Sequence, residues 1–281
     1  MNKHKRDLLI FSAVAVGAGW LGLWLNQLEG NTLPPMQSLG ALVWLVAPAL
    51  TGLLLRWLGG TGFGDAGLRP NIRKGWRAYL AGVWLYPLLT LLGLGLAVLA
   101  GTVSAAGLAR AGLGAYLGMV AAMFGGSFVK NIFEEMAWRG FLAPRARAAG
   151  LGPLAGNALV ALVWWAWHLP YYASFLPRAD LAAATPYGLP VFLVLGLLVL
   201  LPTSFFFDEL RQAAGSVWAV VLLHCVINAI SMPLTLNGLV TSNHWGSLLL
   251  APTNESALMA LLMGAAGWRL RKRRLAGAGQ A

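Results

Sequence analysis

The chain has 281 residues, 58% of them hydrophobic and only 10% charged, with a mean hydropathy of +0.69. A soluble domain carries about 25% charged residues, so this composition excludes an ordinary soluble protein and predicts an all-α, polytopic membrane helical bundle. The formal charge of +11 is not a nucleic-acid signal, because the basic residues sit at the ends of apolar runs, where they report topology and contact with anionic lipid headgroups.

In chain order, runs of about the 20 apolar residues that a spanning helix needs cover 8–26, 38–58, 77–100, 114–138, 154–170, 188–207, 215–236 and 254–269. The first, after Lys3, Lys5 and Arg6, superficially resembles a secretory signal. Its apolar stretch exceeds the roughly 7–15 residues of a signal core and more spans follow, so it reads as a retained first helix. The fourth continues as helix towards Ala149. Basic residues alternate with these runs. Lys3, Lys5, Arg6, Arg56, Arg69, Arg73, Lys74, Arg77, Arg145, Arg147, Arg211 and the cluster Arg269 to Arg274 fall on one side, and Arg110 and Arg178 on the other. The positive-inside rule then predicts eight spans with both termini cytoplasmic. Trp20, Trp24, Trp57 and Trp76 near span ends fit interfacial belts. No internal repeat interrupts a single domain over 1–281, with a motif core at 131–228. Cys225 is the only cysteine, so no intrachain disulfide and no thiolate metal cluster forms.

Against this background Glu134 and Glu135 stand well inside a long apolar segment. Residues i and i+4 of a helix are separated by only about 40°, and consecutive residues by about 100°. Glu135 and Arg139 are therefore an intrahelical pair in the favoured order. Glu134 points elsewhere, with Trp138 one turn later and Lys130 one turn earlier as a competitor. A structural ion pair at the end of span four is the plain alternative, but an acid inside a membrane is costly and points to function. His168 ends the run Trp164-Trp-Ala-Trp-His168. The turn Ala148–Pro153 makes spans four and five a hairpin, and Glu134 and His168 each lie 17 residues from Leu151. Equal arms rising about 1.5 Å per residue put the two at equal depth, able to face one another. His224 and Asn228 form a further i,i+4 polar pair in span seven. Alone, they would be read as interhelical hydrogen bonding; beside Glu134, Glu135 and His168 they complete a polar cluster.

The ordered set Glu-Glu-x3-Arg, aromatic-x3-His and His-x3-Asn, from Asn131 to Asn228, resembles the CPBP family. These are the type II CAAX prenyl proteases and their bacterial relatives, also called Abi or glutamic-type intramembrane proteases. The chain departs from the family at Trp164, where Phe is common. The resemblance implies an intramembrane endopeptidase in a bacterial inner (plasma) membrane, cutting a membrane-anchored or lipidated protein or peptide. By that resemblance Glu134 and His168 activate water, His224 and Asn228 stabilise the oxyanion, Glu135 and Arg139 support them, and Trp164 shapes the pocket. No cofactor is expected. The zinc alternative would use Glu134, His168 and His224, although the His-Glu-x2-His helix of common zinc proteases is absent. Anionic lipids at the basic cytoplasmic face are the other expected partner. Competing readings are a non-catalytic adaptor or bacteriocin-immunity protein of the same fold, and a proton-coupled transporter. The intact motif set speaks against the first. The absence of a second Glu-Glu segment in an inverted half speaks against the other.

Overall fold

In the computed structural model, which describes residues 2–30, 32–251 and 256–278, each apolar run above forms a helix over most of its described length. Residues 254 and 255 of the eighth run lie outside the described residues. The long helices are α1 (Lys3–Leu28), α2 (Leu39–Leu58) and α3 (Ile72–Leu99). A short α4 (Ala106–Ala111) then leads into α5 (Leu113–Ala137). A π-helical turn, Trp138–Leu142, joins α5 to α6 (Ala143–Ala148), and α7 (Pro153–Pro170) closes the hairpin before a second π turn, Tyr171–Phe175. The remainder is α8 (Arg178–Ala184), α9 (Leu189–Ala214), α10 (Trp218–Leu236), α11 (His244–Leu249) and α12 (Ala257–Ala278). One two-residue antiparallel ladder pairs Val103 with Ser242 and Ser104 with Thr241.

Among the described residues six helices are long and apolar enough to cross a membrane: α1, α2, α3, α5 with its continuation to Ala148, α9 and α10. The fifth and eighth expected spans, α7 and α12, are helices in the expected places but fall outside that set. In α7 three tryptophans, Asn157 and His168 lower the hydropathy; α12 ends in a basic run. Boundaries also shift. The third helix begins at Ile72, earlier than 77, and the seventh run becomes helical at Trp218, after the turn at Gly215.

The site is held by α5, α7, α9 and α10. α10 packs on α5 and α3, α7 on α9 and α1, and α12 on α9. α1 and α2 approach so closely that the backbones of Gly22 and Gly40 touch, and Asn26 bridges them by donating to Ser38 Oγ (2.8 Å) and accepting from Gly40 N (2.9 Å). The joint between α2 and α7 follows from a proline. Pro48 lies inside α2 and has no N–H for the carbonyl four residues back, that of Trp44. Trp167 Nε1 donates to that carbonyl at 2.9 Å, and Trp44 Nε1 returns a bond to Trp167 O at 2.8 Å. The two rings stack with centroids 4.1 Å apart. A second proline acts alike. Pro144 cannot serve the carbonyl of Gly140 in the first π turn, and Arg56 Nη2 from α2 donates to it at 2.6 Å.

Replacing Trp167 by Phe keeps the stack and removes the donor, leaving the Trp44 carbonyl buried and unpartnered. Stability is expected to fall by about 1–3 kcal/mol, read as a lower midpoint of thermal unfolding in detergent. In a Pro48→Ala background α2 supplies its own N–H, and the same substitution should cost well under half as much. Equal costs in the two backgrounds would sink this account of the joint.

Candidate active site

α5 presents two polar rows at the four-residue spacing that aligns side chains on a helix. Lys130 and Glu134 make one; Asn131, Glu135 and Arg139 make the other. Glu134 is 1% exposed, yet it is not left without a partner. Lys130 Nζ pairs with its Oε1, and Trp164 Nε1 donates to its Oε2 at 2.9 Å. Lys130, one turn earlier on the same face and named above as a competitor, is the opposite charge that Glu134 takes.

Glu135 and Arg139 form the expected pair, with Arg139 Nη1 at 3.3 and 3.2 Å from the two carboxylate oxygens and neither side chain exposed. Arg139 Nη2 also donates to Ser204 Oγ at 3.1 Å. Its guanidinium carbon lies 4.3 Å from the Trp164 ring centroid and 4.7 Å from that of Phe207. A planar cation between two aromatic faces, out of water, is a favourable setting for arginine and a poor one for lysine. Glu135 in turn holds His224, whose Nδ1 is 2.8 Å from Oε1. A carboxylate only accepts, so Nδ1 carries the proton, and His224 Nε2 becomes a donor only in the imidazolium.

His168 Nδ1 lies 2.9 Å from the carbonyl of Trp164, one turn earlier. A carbonyl also only accepts, which fixes the tautomer with Nε2 as a lone-pair site when the ring is neutral. Among the described residues His168 and Glu134 share no direct hydrogen bond. Both bind Trp164 instead, one through its indole and one through its backbone. Asn228 Nδ2 donates to Asn131 Oδ1 at 3.2 Å, and Asn131 Nδ2 donates to Cys225 Sγ at 3.3 Å.

These groups converge on a cavity of about 610 Å³ between α5, α7, α9 and α10, lined among others by Lys130, Trp164, His168, His224 and Asn228. Glu134 and Glu135 sit directly behind that lining. Trp165 donates to Leu193 O at 2.9 Å, as a packing residue should, and still contributes to the wall. Trp167 does not line the cavity; it belongs to the Trp44 joint. Zinc was to use Glu134, His168 and His224. Among the described residues no group of three His, Cys, Asp or Glu could hold a metal ion. No step below runs through a metal.

Sequence reasoning gave no role to Asn131, Ser204 or Phe207. Asn131 was findable, because it stands four residues before Glu135 on the same face. Ser204 and Phe207 lie on α9, more than sixty positions from Arg139, and no spacing rule reaches them. Arg139→Met is expected to cost about 3–5 kcal/mol, since it strands a buried carboxylate. Adding Glu135→Gln should recover a large part of the loss in the unfolding midpoint. A double variant as unstable as the single one would show that the charge is not the cause.

No curated protein matches the chain. Residues 116–230, from Tyr116 in α5 to Ile230 in α10, match the family model described as "Type II CAAX prenyl endopeptidase Rce1-like". The matched stretch contains Glu134, Glu135, Arg139, Trp164, His168, His224 and Asn228. The family model thus returns, over that stretch, the family that the motifs resemble: this integral membrane protein is similar, in residues 116–230, to the type II CAAX prenyl endopeptidases of the Rce1-like kind, a family usually of intramembrane proteases.

Proposed function

We propose that the protein is a metal-independent, glutamate-dependent intramembrane endopeptidase acting on a membrane-anchored or lipidated protein or peptide, in a bacterial inner membrane with both termini cytoplasmic and eight spans. The observation that carries this reading is the convergence of His168, His224 and Asn228 on one largely apolar cavity, with Glu134 and Glu135 bonded to its lining.

Glu134 and the Nε2 of His168 take a proton from a water molecule, and its oxygen attacks the scissile carbonyl carbon. The carbonyl oxygen becomes an oxyanion in a site from which bulk water is displaced, where aligned donors act most strongly. The imidazolium of His224, with Glu135 as counter-ion, offers its Nε2–H. Asn228 has two amide hydrogens; one is used on Asn131 and the other is free to donate to the oxyanion. Collapse of the intermediate breaks the C–N bond, and the proton taken from water passes to the leaving amine. Arg139 pairs with Glu135 and holds it in place. The aromatic and aliphatic walls accept the apolar part of the substrate.

Glu134→Ala and His168→Ala should each abolish cleavage, by the 10²–10⁴-fold or more typical of lost acid–base groups, while the proteins still insert and unfold cooperatively. Asn228→Ala should lower kcat about 10²–10³-fold, the effect of losing one oxyanion donor. Comparing membrane proteomes of wild type and Glu134→Ala should reveal accumulated uncut substrates; full processing by both the Glu134 and His168 variants would refute the protease reading. Activity should persist in a strong chelator. Loss in chelator with recovery on adding Zn²⁺ would replace the glutamate mechanism with a metal one.

A further inference from the structure

The basic end of the bundle, where α6 and α9 finish, contains a second pocket, of about 470 Å³, lined by Gly64, Asp65, Gly67, Arg147 and Arg211 among others. Its charges do not balance. Four guanidinium groups, those of Arg56, Arg145, Arg147 and Arg211, meet there with two carboxylates. Asp65 accepts from both Arg56 and Arg145. Burial pushes its carboxyl up, but those two guanidinium groups outweigh burial and hold it below the usual carboxylate range. Asp208 is taken by Arg147, at 2.9 and 2.8 Å, and by Gln212 at 2.9 Å.

Arg211 is the one left over. Among the described residues its guanidinium has no carboxylate partner. Its hydrogen bond goes to the backbone carbonyl of Asp65, and its Nε is buried without an acceptor. Gly67, at φ +73°, lies against it, and a Cβ there would stand 3.1 Å from Nη2. A half-buried cation facing a cationic neighbour is unfavourable unless an anion completes the set. Arginine's planar fork matches phosphate oxygens in pairs, and the pocket volume falls within the range of small-ligand sites.

The geometry points to an anion site in this pocket that takes a phosphate group, with Arg211 as its principal donor and Arg147 beside it. The phosphate comes either from an anionic lipid headgroup, since the pocket lies at the basic end where such lipids gather, or from a free phosphate ion. This site is separate from the cavity of the proposed peptidase and does not depend on that reading.

The test uses the full chain and its thermal unfolding midpoint, which rises when a ligand binds the folded state. One arm titrates inorganic phosphate in neutral detergent against chloride of equal ionic strength. The other compares phosphatidylcholine nanodiscs with and without phosphatidic acid. Stabilisation in both arms identifies phosphate itself as sufficient; stabilisation by phosphatidic acid alone identifies the lipid headgroup. Arg211→Gln should weaken the response about tenfold or more, the loss of one charge-assisted contact, while Arg110→Gln at the opposite end leaves it unchanged. If Arg211→Gln does not fold, Arg211→Lys, which keeps the charge and loses the fork, should give a clearly reduced response. No stabilisation in either arm, or an undiminished response in the Arg211 variant that folds, overturns the proposal.

Discussion

In hydrocarbon no water waits to satisfy a carbonyl that its helix cannot use, and the fold is organised by that constraint. Prolines create such carbonyls at fixed places. Pro48 frees that of Trp44 and Pro144 frees that of Gly140, and in each case a long side chain from another helix supplies the missing donor. These are contacts of high sequence separation with little positional freedom, because a carbonyl on a helix accepts from a narrow range of directions. The Trp44–Trp167 joint fixes the depth of α7, which carries Trp164 and His168. The Arg56–Gly140 contact fixes the π turn that follows Glu135 and Arg139. A π turn inserts an extra residue and rotates what comes after it, so it separates the functional part of the helix from its basic continuation.

The second organising demand is charge. Glu135, Arg139 and His224 are all buried, and each is tolerated only because the others are present. Ser204 and the rings of Trp164 and Phe207 take up what remains of the arginine's surface. Elsewhere the same rule docks the last helix: Glu209 on α9, 1% exposed, receives Arg271 and Arg274 of α12. That acid belongs with Glu134 and Glu135 as a buried carboxylate.

What the sequence disclosed follows from short-range geometry. The i,i+4 pairs Glu135–Arg139 and His224–Asn228, the hairpin between α5 and α7, and the helical nature of every apolar run all depend on helix periodicity, which local spacing records. Partners across helices were invisible for the opposite reason. Arg56 reaches Gly140 across 84 positions, and Trp44 reaches Trp167 across 123, distances at which spacing carries no information. The missing N–H of a proline is nevertheless a local fact. It announces that a donor will be needed at Trp44 and Gly140 without saying which residue provides it.

Trp164 shows how one substitution can alter an arrangement without removing it. Where the resembled family commonly has Phe, a ring alone could still cover Arg139 and stand 5.7 Å from the rings of Phe207 and His224. The indole adds an N–H, and that N–H is directed at Glu134. Its backbone carbonyl meanwhile orients His168. Glu134 and His168 do not meet directly; Trp164 binds each by a different atom. The polar cluster is therefore ordered through a tryptophan: indole to carboxylate, carbonyl to imidazole and ring to guanidinium. A smaller aromatic at this position would preserve the last two of those contacts and lose the first.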